Sequence, residues 1–287
     1  MGGRAGVKLA LAMGFAMGLA VVPAQAAELQ AVNFPSLDGT LLNGWLVQPS
    51  MGPAKGTVIA LHGCGGLYAT SGARKGLLNA RHHAAAEMLA GQGYAVLFPD
   101  SLSPRGEREL CTQKTSQRKI NQTQRRADAL GALAWVAAQP WGDARHLALL
   151  GWSHGGSAVL SATDITRADV KASAVRPAVA VAFYPGCSAP LKSGYQPSTR
   201  LVLMLGEKDD WTPPEPCVAL GKGIGAEVHL FPDSYHDFDN PSGSLRLRKD
   251  VPNGVNPGQG VHVGPNAAAR EKAYSRLLQV LNESWRR

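Results

Sequence analysis

The stretch His146-Leu147-Ala148-Leu149-Leu150-Gly151-Trp152-Ser153-His154-Gly155-Gly156 decides the architecture. Five residues of mostly apolar, strand-like character run into Gly151, and a small-residue helical segment follows from Ser157. The centre reads G-x-S-x-G, the pattern of a nucleophile elbow. In that turn a serine sits between strand and helix with its hydroxyl pushed out above a sheet. A side chain at Gly151 or Gly155 would collide with backbone folding back on itself. The five-residue pattern is short enough to recur by chance, so its strand-before, helix-after context carries the reading.

Working outward, the same alternation recurs. Leu29 to Pro49 reads as two extended runs around Asp38-Gly39, a hairpin turn. Gly56–Leu61 is a short β-branched, apolar run typical of a buried parallel strand, and it ends in His62-Gly63-Cys64-Gly65-Gly66. A helix over Leu77–Gln92 precedes a strand at Tyr94–Phe98. A polar, basic loop spans Ser101–Ser116, and Ile120–Gln139 is a helix with one apolar face. Past the elbow, strands are expected at Ala178–Tyr184, Arg200–Leu205 and Ala226–Phe231, with a closing helix from Asn266 to Trp285. Asp239–Gly264 reads as a long loop rich in Pro, Gly and Asn, which is the kind that is functional or mobile. Strands alternating with helices predict an α/β fold, a mostly parallel sheet covered by helices on both faces. Each chemically notable residue follows a strand's C-terminal end, the edge where open α/β sheets bind ligands.

The first 26 residues stand apart. Arg4 and Lys8 form a positive n-region, Leu9–Val22 is an uncharged apolar run, and Ala24-Gln25-Ala26 is a cleavage site. Residues 1–26 are therefore expected to be a secretory signal peptide, too short for a span of roughly 20 apolar residues. Residues 27–287 form the expected single domain, with no stable membrane anchor and a periplasmic or secreted location. The whole chain carries +8 at pH 7, spread over residues such as Arg105, Arg118, Arg125 and Arg248. Diffuse positive charge serves solubility and long-range attraction of anions. Nothing resembles a nucleic-acid module, and nothing specifies an oligomer.

A serine hydroxyl needs a general base within hydrogen-bond reach, and an acid to hold the base's tautomer. With a serine elbow the chain order is Ser, then Asp or Glu, then His. His236, a few residues past the last strand, is the expected base; His262 and His229 are the alternatives. Asp209 is the expected acid because its turn runs Asp-x-x-x-Pro to Pro213, with Asp210 and then Glu207 behind it. The oxyanion hole needs backbone N–H donors. His154 supplies one and Cys64 the other, Gly65 being the alternative. The side chains of His62 and His154 are read as packing or hydrogen-bonding groups.

Together, His62-Gly63-Cys64-Gly65-Gly66, the Gly-Trp-Ser-His-Gly-Gly elbow, Gly206-Glu207-Lys208-Asp209-Asp210-Trp211-Thr212-Pro213 and Tyr235-His236-Asp237-Phe238 resemble the dienelactone hydrolase family of α/β hydrolases. The resemblance spans nearly all of residues 27–287. It implies the α/β-hydrolase fold and hydrolysis of a small carboxylic ester or lactone through an acyl-enzyme, with no metal and no organic cofactor. By motif, Ser153 takes the nucleophile position, Asp209 the acid and His236 the base. Two departures stand out: the family's namesake uses a cysteine nucleophile, and it is cytoplasmic. Both departures point away from dienelactone itself as the substrate. Arg105 lies in a loop at the correct edge for an anion, although a plain surface arginine is the simpler reading.

Four cysteines allow three pairings. Cys187 and Cys217 follow neighbouring strands, and a disulfide between them would brace the Asp209 loop. Cys64 and Cys111 do the same, with a buried free thiol at Cys64 as the equal alternative. Peptidase or acyltransferase chemistry on the same triad, and a non-catalytic binding protein on the same fold, are the competing functions.

Overall fold

The computed structural model describes residues 1–3 and 28–285. The expected signal segment, beyond its first three residues, lies outside the described residues. The strands and helices occur in the expected order. A hairpin of β1 (Leu29–Pro35) and β2 (Leu41–Val47) is followed by β3 (Thr57–Leu61), α1 (Ala80–Gly91) and β4 (Ala95–Asp100). Then come α2 (Gln122–Ala137), β5 (Leu147–Trp152), α3 (His154–Ala162), α4 (Ala168–Ala172) and β6 (Val179–Phe183). The chain finishes with α5 (Ser188–Ser193), β7 (Arg200–Gly206), α6 (Glu215–Ile224), β8 (Glu227–Phe231), β9 (Arg246–Arg248), β10 (Val261–Val263) and α7 (Ala267–Trp285).

Eight strands form one sheet in the order β1-β2-β4-β3-β5-β6-β7-β8. From β4 to β8 all neighbours are parallel, while β2 is antiparallel to both β1 and β4. The central strands are buried end to end because both faces are covered. Successive side chains point to opposite faces, so one strand feeds two cores. Val58 and Ala60 join the layer under α1 and α7, with Leu89, Tyr274 and Leu277. Ile59 and Leu61 join the layer under α2, α3 and α6, with Leu133, Val159 and Leu220. The order of strands places β3, β5, β6 and β7 side by side, so the loops leaving their C-terminal ends converge.

Asp239–Gly264 is more structured than expected. Within it β9 and β10 pair antiparallel, Val261 against Arg248, and a small core of Val251, Val261 and Val263 packs on Trp211. The segment is thereby strapped across the loop after β7. Val263 bridges to His236, which ties the strap to the loop after β8.

Candidate active site

Ser153 sits at the junction of β5 and α3 with φ 53° and ψ −115°. Positive φ on a non-glycine residue costs on the order of 1–3 kcal/mol and persists only where the surroundings enforce it. They do so here by close approach. A Cβ on Gly155 would lie 2.0 Å from the Leu61 carbonyl oxygen, and one on Gly151 would lie 2.3 Å from that of Gly155. The Ser153 N–H donates to the Phe183 carbonyl at 2.9 Å, anchoring the elbow on β6.

His236 Nε2 lies 2.9 Å from Ser153 Oγ, and its Nδ1 lies 2.8 Å from Asp209 Oδ2. The three expected residues, from three separate strand ends, thus form one hydrogen-bonded chain. Asp209 is oriented by its own turn: Oδ1 accepts from the N–H groups of Trp211 and Thr212, both at 2.9 Å. Its Oδ2 also lies 3.0 Å from the Thr212 hydroxyl. With Asp209 accepting at Nδ1–H, the remaining lone pair on Nε2 faces the serine hydroxyl. The imidazole is held between the rings of Tyr184 and Trp211, at centroid distances of 4.5 and 4.6 Å. Burial by itself pushes the His236 pKa down; the charge and hydrogen bond of Asp209, then the Asp237 charge, push it up, Arg81 opposes them, and the net shift is upward.

The alternative residues have other partners. Asp210 accepts from the His262 N–H at 2.8 Å and pairs with His262 Nδ1 at 2.7 Å, fastening the strap. His229 pairs with Glu227 along β8 at 2.6 Å, and Glu207 accepts from the Asp233 N–H at 3.2 Å. Neither His262 nor His229 is hydrogen-bonded to Ser153.

The loop after β3 runs beside the elbow, and a Cβ on Gly63 would lie 3.6 Å from that of Ser153. The Cys64 N–H makes no hydrogen bond among the described residues. His154 is the first residue of α3, so its N–H is one that a helix leaves without an internal partner. His62 is a fully buried strut. Its Nδ1–H donates to the Gly63 carbonyl at 2.8 Å, and its Nε2 lies 3.3 Å from the Ser101 N–H. Below it, Arg125 of α2 donates to the His62 carbonyl at 2.7 Å. Burial first, then the Arg125 charge, hold the pKa values of His62 and His154 well below the ordinary imidazole value.

Several charges have roles that composition hides. Arg125, read as part of a scattered surface excess, is completely buried. Arg105 is no anion site: it grips Asp128 with two hydrogen bonds of 2.8 and 3.0 Å and Asp38 with a third of 2.7 Å. Arg81 pairs with Asp237 at 2.6 Å and Asp239 at 3.3 Å. Asp239 also takes the hydroxyls of Tyr184 and Tyr274, so a buried network locks the loop that carries His236. Sequence reasoning missed this network and the Trp211 and Tyr184 stack, because each depends on residues that only the fold brings together.

Two cavities meet at Ser153. One of about 450 Å³ is lined by residues including Ser157, Leu160, Pro190, Tyr195 and Arg118. The other, of about 270 Å³, is lined by Gly65, His82, Asp237, Asn240 and Arg248 among others, and by His236. Arg118 lines the larger cavity, its Nε buried and without a hydrogen-bond partner among the described residues, and burial pulls its pKa down. Among the described residues no group of three or more His, Cys, Asp or Glu side chains could hold a metal ion. No helix among them is long and apolar enough to cross a membrane.

Both cysteine pairs are joined, Cys64–Cys111 and Cys187–Cys217, so Cys64 is not a free thiol. The second bond ties the loop after β6 to α6, next to the Asp209 turn. It encloses a loop of 30 residues, a length for which chain entropy gives about 3–4 kcal/mol of stabilisation. Peptide mapping without reductant is expected to recover a Cys187–Cys217 link. Urea unfolding of Cys187→Ala/Cys217→Ala is expected to show a loss of about that size.

No curated protein matches this sequence. Among solved structures, the dienelactone hydrolase-like promiscuous phosphotriesterase P91 from metagenomic libraries superposes with a TM-score of 0.66 at 19% identity. The match covers 90% of this chain and 99% of that one. An acylaminoacyl peptidase of Pyrococcus horikoshii gives 0.58 at 14% identity, over 92% of this chain and 42% of the larger enzyme. Dipeptidyl peptidase 4 of Porphyromonas gingivalis gives 0.58 at 16%, over 90% and 36%. These likenesses establish the α/β-hydrolase fold. The model of the dienelactone hydrolase family matches residues 46–285, a span that takes in the elbow, both loops beside it and the closing helix, and the chain belongs to that family.

Proposed function

We propose that this hydrolase cleaves a carboxylic ester or lactone bond of a small substrate through an acyl-enzyme on Ser153. The observation that carries the reading is the unbroken Ser153–His236–Asp209 hydrogen-bond chain at the meeting point of two cavities. Ser153 Oγ attacks the carbonyl carbon while His236 Nε2 takes its proton. The oxygen that gains charge is held by the N–H groups of Cys64 and His154. When the carbon–oxygen bond breaks, its electron pair stays on the alkoxy oxygen, which takes the proton from His236. Water then repeats the attack, delivers a proton to His236, and releases the acid as Ser153 regains its own.

This sequence assigns the two cavities. The leaving oxygen must reach His236 Nε2, and His236 lines the smaller cavity and not the larger. The alcohol portion therefore belongs in the smaller cavity and the acyl portion in the larger. On the acyl side Arg118 offers a partly desolvated cation. Arg118→Met is expected to raise KM about 10- to 100-fold for esters whose acyl part ends in a carboxylate, the range for a hydrogen bond to a charged group. KM for uncharged acyl parts of similar length should hold.

The test of the reading is fluorophosphonate labelling together with turnover of 4-nitrophenyl acetate. Labelling with turnover supports it. Labelling without ester turnover favours a peptidase or acyltransferase on the same residues, and the absence of both labelling and turnover favours a binding protein. The base must be neutral to accept a proton, and the His236 pKa is displaced upward from the ordinary 6.5. The kcat/KM profile is thus expected to rise with pH through a midpoint above 6.5, since it reports the free enzyme. A midpoint at or below that value would contradict the pairing with Asp209.

We further infer an exported protein, periplasmic or secreted, with residues 27–287 as one domain. Two disulfides fit an oxidising compartment, and residues 1–26 have the pattern of a cleaved signal. N-terminal sequencing of the exported chain should begin at Ala27.

A further inference from the structure

The smaller cavity differs in character from the larger. Around it stand Asn79, Arg81, Asp237, Asn240, Ser242 and Arg248, whereas the larger is walled in good part by Leu160, Ala189, Pro190, Trp211 and Pro213. The charges of the smaller cavity are already matched. Arg81 is spent on Asp237 and Asp239, and Arg248 pairs with Asp250 at 2.6 Å while lying over the Trp211 ring. What the cavity offers a ligand is hydrogen bonding without a bare charge.

His82 sharpens the chemistry. It is 1% exposed, packed between Trp152 and Phe98, and it lines this cavity. Its Nδ1 lies 3.1 Å from the Leu67 carbonyl, so the ring N–H donates there and Nε2 carries only a lone pair. That Nε2 has no hydrogen-bond partner among the described residues. Burial, with Arg81 beside it, holds the ring pKa down at about 3, so it stays a neutral acceptor. A buried acceptor without a partner calls for an O–H or N–H donor. The alkyl part of a simple ester has no such donor, because its one oxygen is the ester oxygen, which carries no hydrogen.

We propose that the cavity on the His236 side of Ser153 is a leaving-group subsite for a polyhydroxylated alcohol, a glycerol or monosaccharide unit, with His82 Nε2 accepting from one of its hydroxyls. This rests on the serine esterase reading and names the alcohol half of its substrate. The volume agrees: about 270 Å³ is room for such a unit and is smaller than the cavity of about 450 Å³ on the acyl side. Sites built to bond a substrate hydroxyl discriminate against analogues that lack it. Because this cavity opens to water, the expected preference is moderate.

The test holds the acyl group constant. The kcat/KM values for glycerol 1-butyrate and for ethyl butyrate are compared on the wild type, His82→Phe and Asn240→Ala. The expected result is a wild-type preference for the glycerol ester of at least about tenfold, falling severalfold in His82→Phe. Asn240→Ala, which leaves the buried ring packing intact, should lower the preference even if His82→Phe fails to fold. Equal kcat/KM for the two esters in the wild type overturns the subsite and leaves the esterase reading standing. An unchanged preference in both variants places the discrimination elsewhere and overturns it too. Absence of fluorophosphonate labelling and of turnover on every ester overturns both readings.

Discussion

Ser153→Ala is expected to lower kcat for 4-nitrophenyl acetate by about 10⁵- to 10⁶-fold and to abolish fluorophosphonate labelling, the scale of removing a nucleophile that acts as one unit with its base. The fold should survive. Alanine keeps the Cβ, so the backbone at φ 53° is neither relieved nor worsened. Among the described residues the side-chain bond lost is the one to His236 Nε2, on a wall open to both cavities, where water can replace the hydroxyl. Circular dichroism and urea midpoint should therefore match the wild type within about 1 kcal/mol. A large loss of activity with unchanged stability assigns the loss to chemistry. Retention of more than a few per cent of kcat would remove Ser153 from the nucleophile role.

That expectation rests on a residue already visible in the sequence, and the reason is physical. The elbow is local: two glycines, a serine and the strand–helix change of period lie within a dozen residues, and steric conflict at Gly151 and Gly155 leaves little choice of turn. The strands were equally legible, because a strand covered on both faces must be apolar throughout. Placing Asp209 and His236 required only that loops after parallel strands converge at one edge.

Long-range pairing was not legible. Arg125 lies among the polar residues at the start of α2, yet it points inward because the His62 carbonyl needs a donor beneath it. Arg105 meets Asp38 across 67 residues. The strap over 239–264 reads as loop because its two strands have three residues each and are anchored by Trp211 and Asp210 from another part of the chain. Asp209 and Asp210 are adjacent and chemically identical. The turn to Pro213 ranks Asp209 first, and the tertiary partners differ, His236 for Asp209 and His262 for Asp210.

Asp209→Asn is expected to lower kcat about 10⁴-fold, the scale of replacing the acid of such a triad by its amide. The carboxylate accepts the Nδ1–H of His236. An amide placed with its NH₂ toward the ring would favour the opposite tautomer, with hydrogen on Nε2, where no lone pair remains for the serine proton. The amide has a second effect with a separate readout. In the wild type, burial pushes the His236 pKa down, and Asp209, joined by the Asp237 charge, more than reverses it. Without the Asp209 charge the burial remains, so the acidic limb of kcat/KM, expected above 6.5 in the wild type, should move to lower pH even as its height falls. Asp210→Asn is the control. It loosens the contact with His262 and the strap, and it should cost stability while leaving both kcat and the position of the limb within a few-fold of the wild type. If Asp210→Asn instead reproduced the 10⁴-fold loss and the acid shift, the acid would be Asp210, and the hydrogen bond from His236 to Asp209 would be a structural contact only.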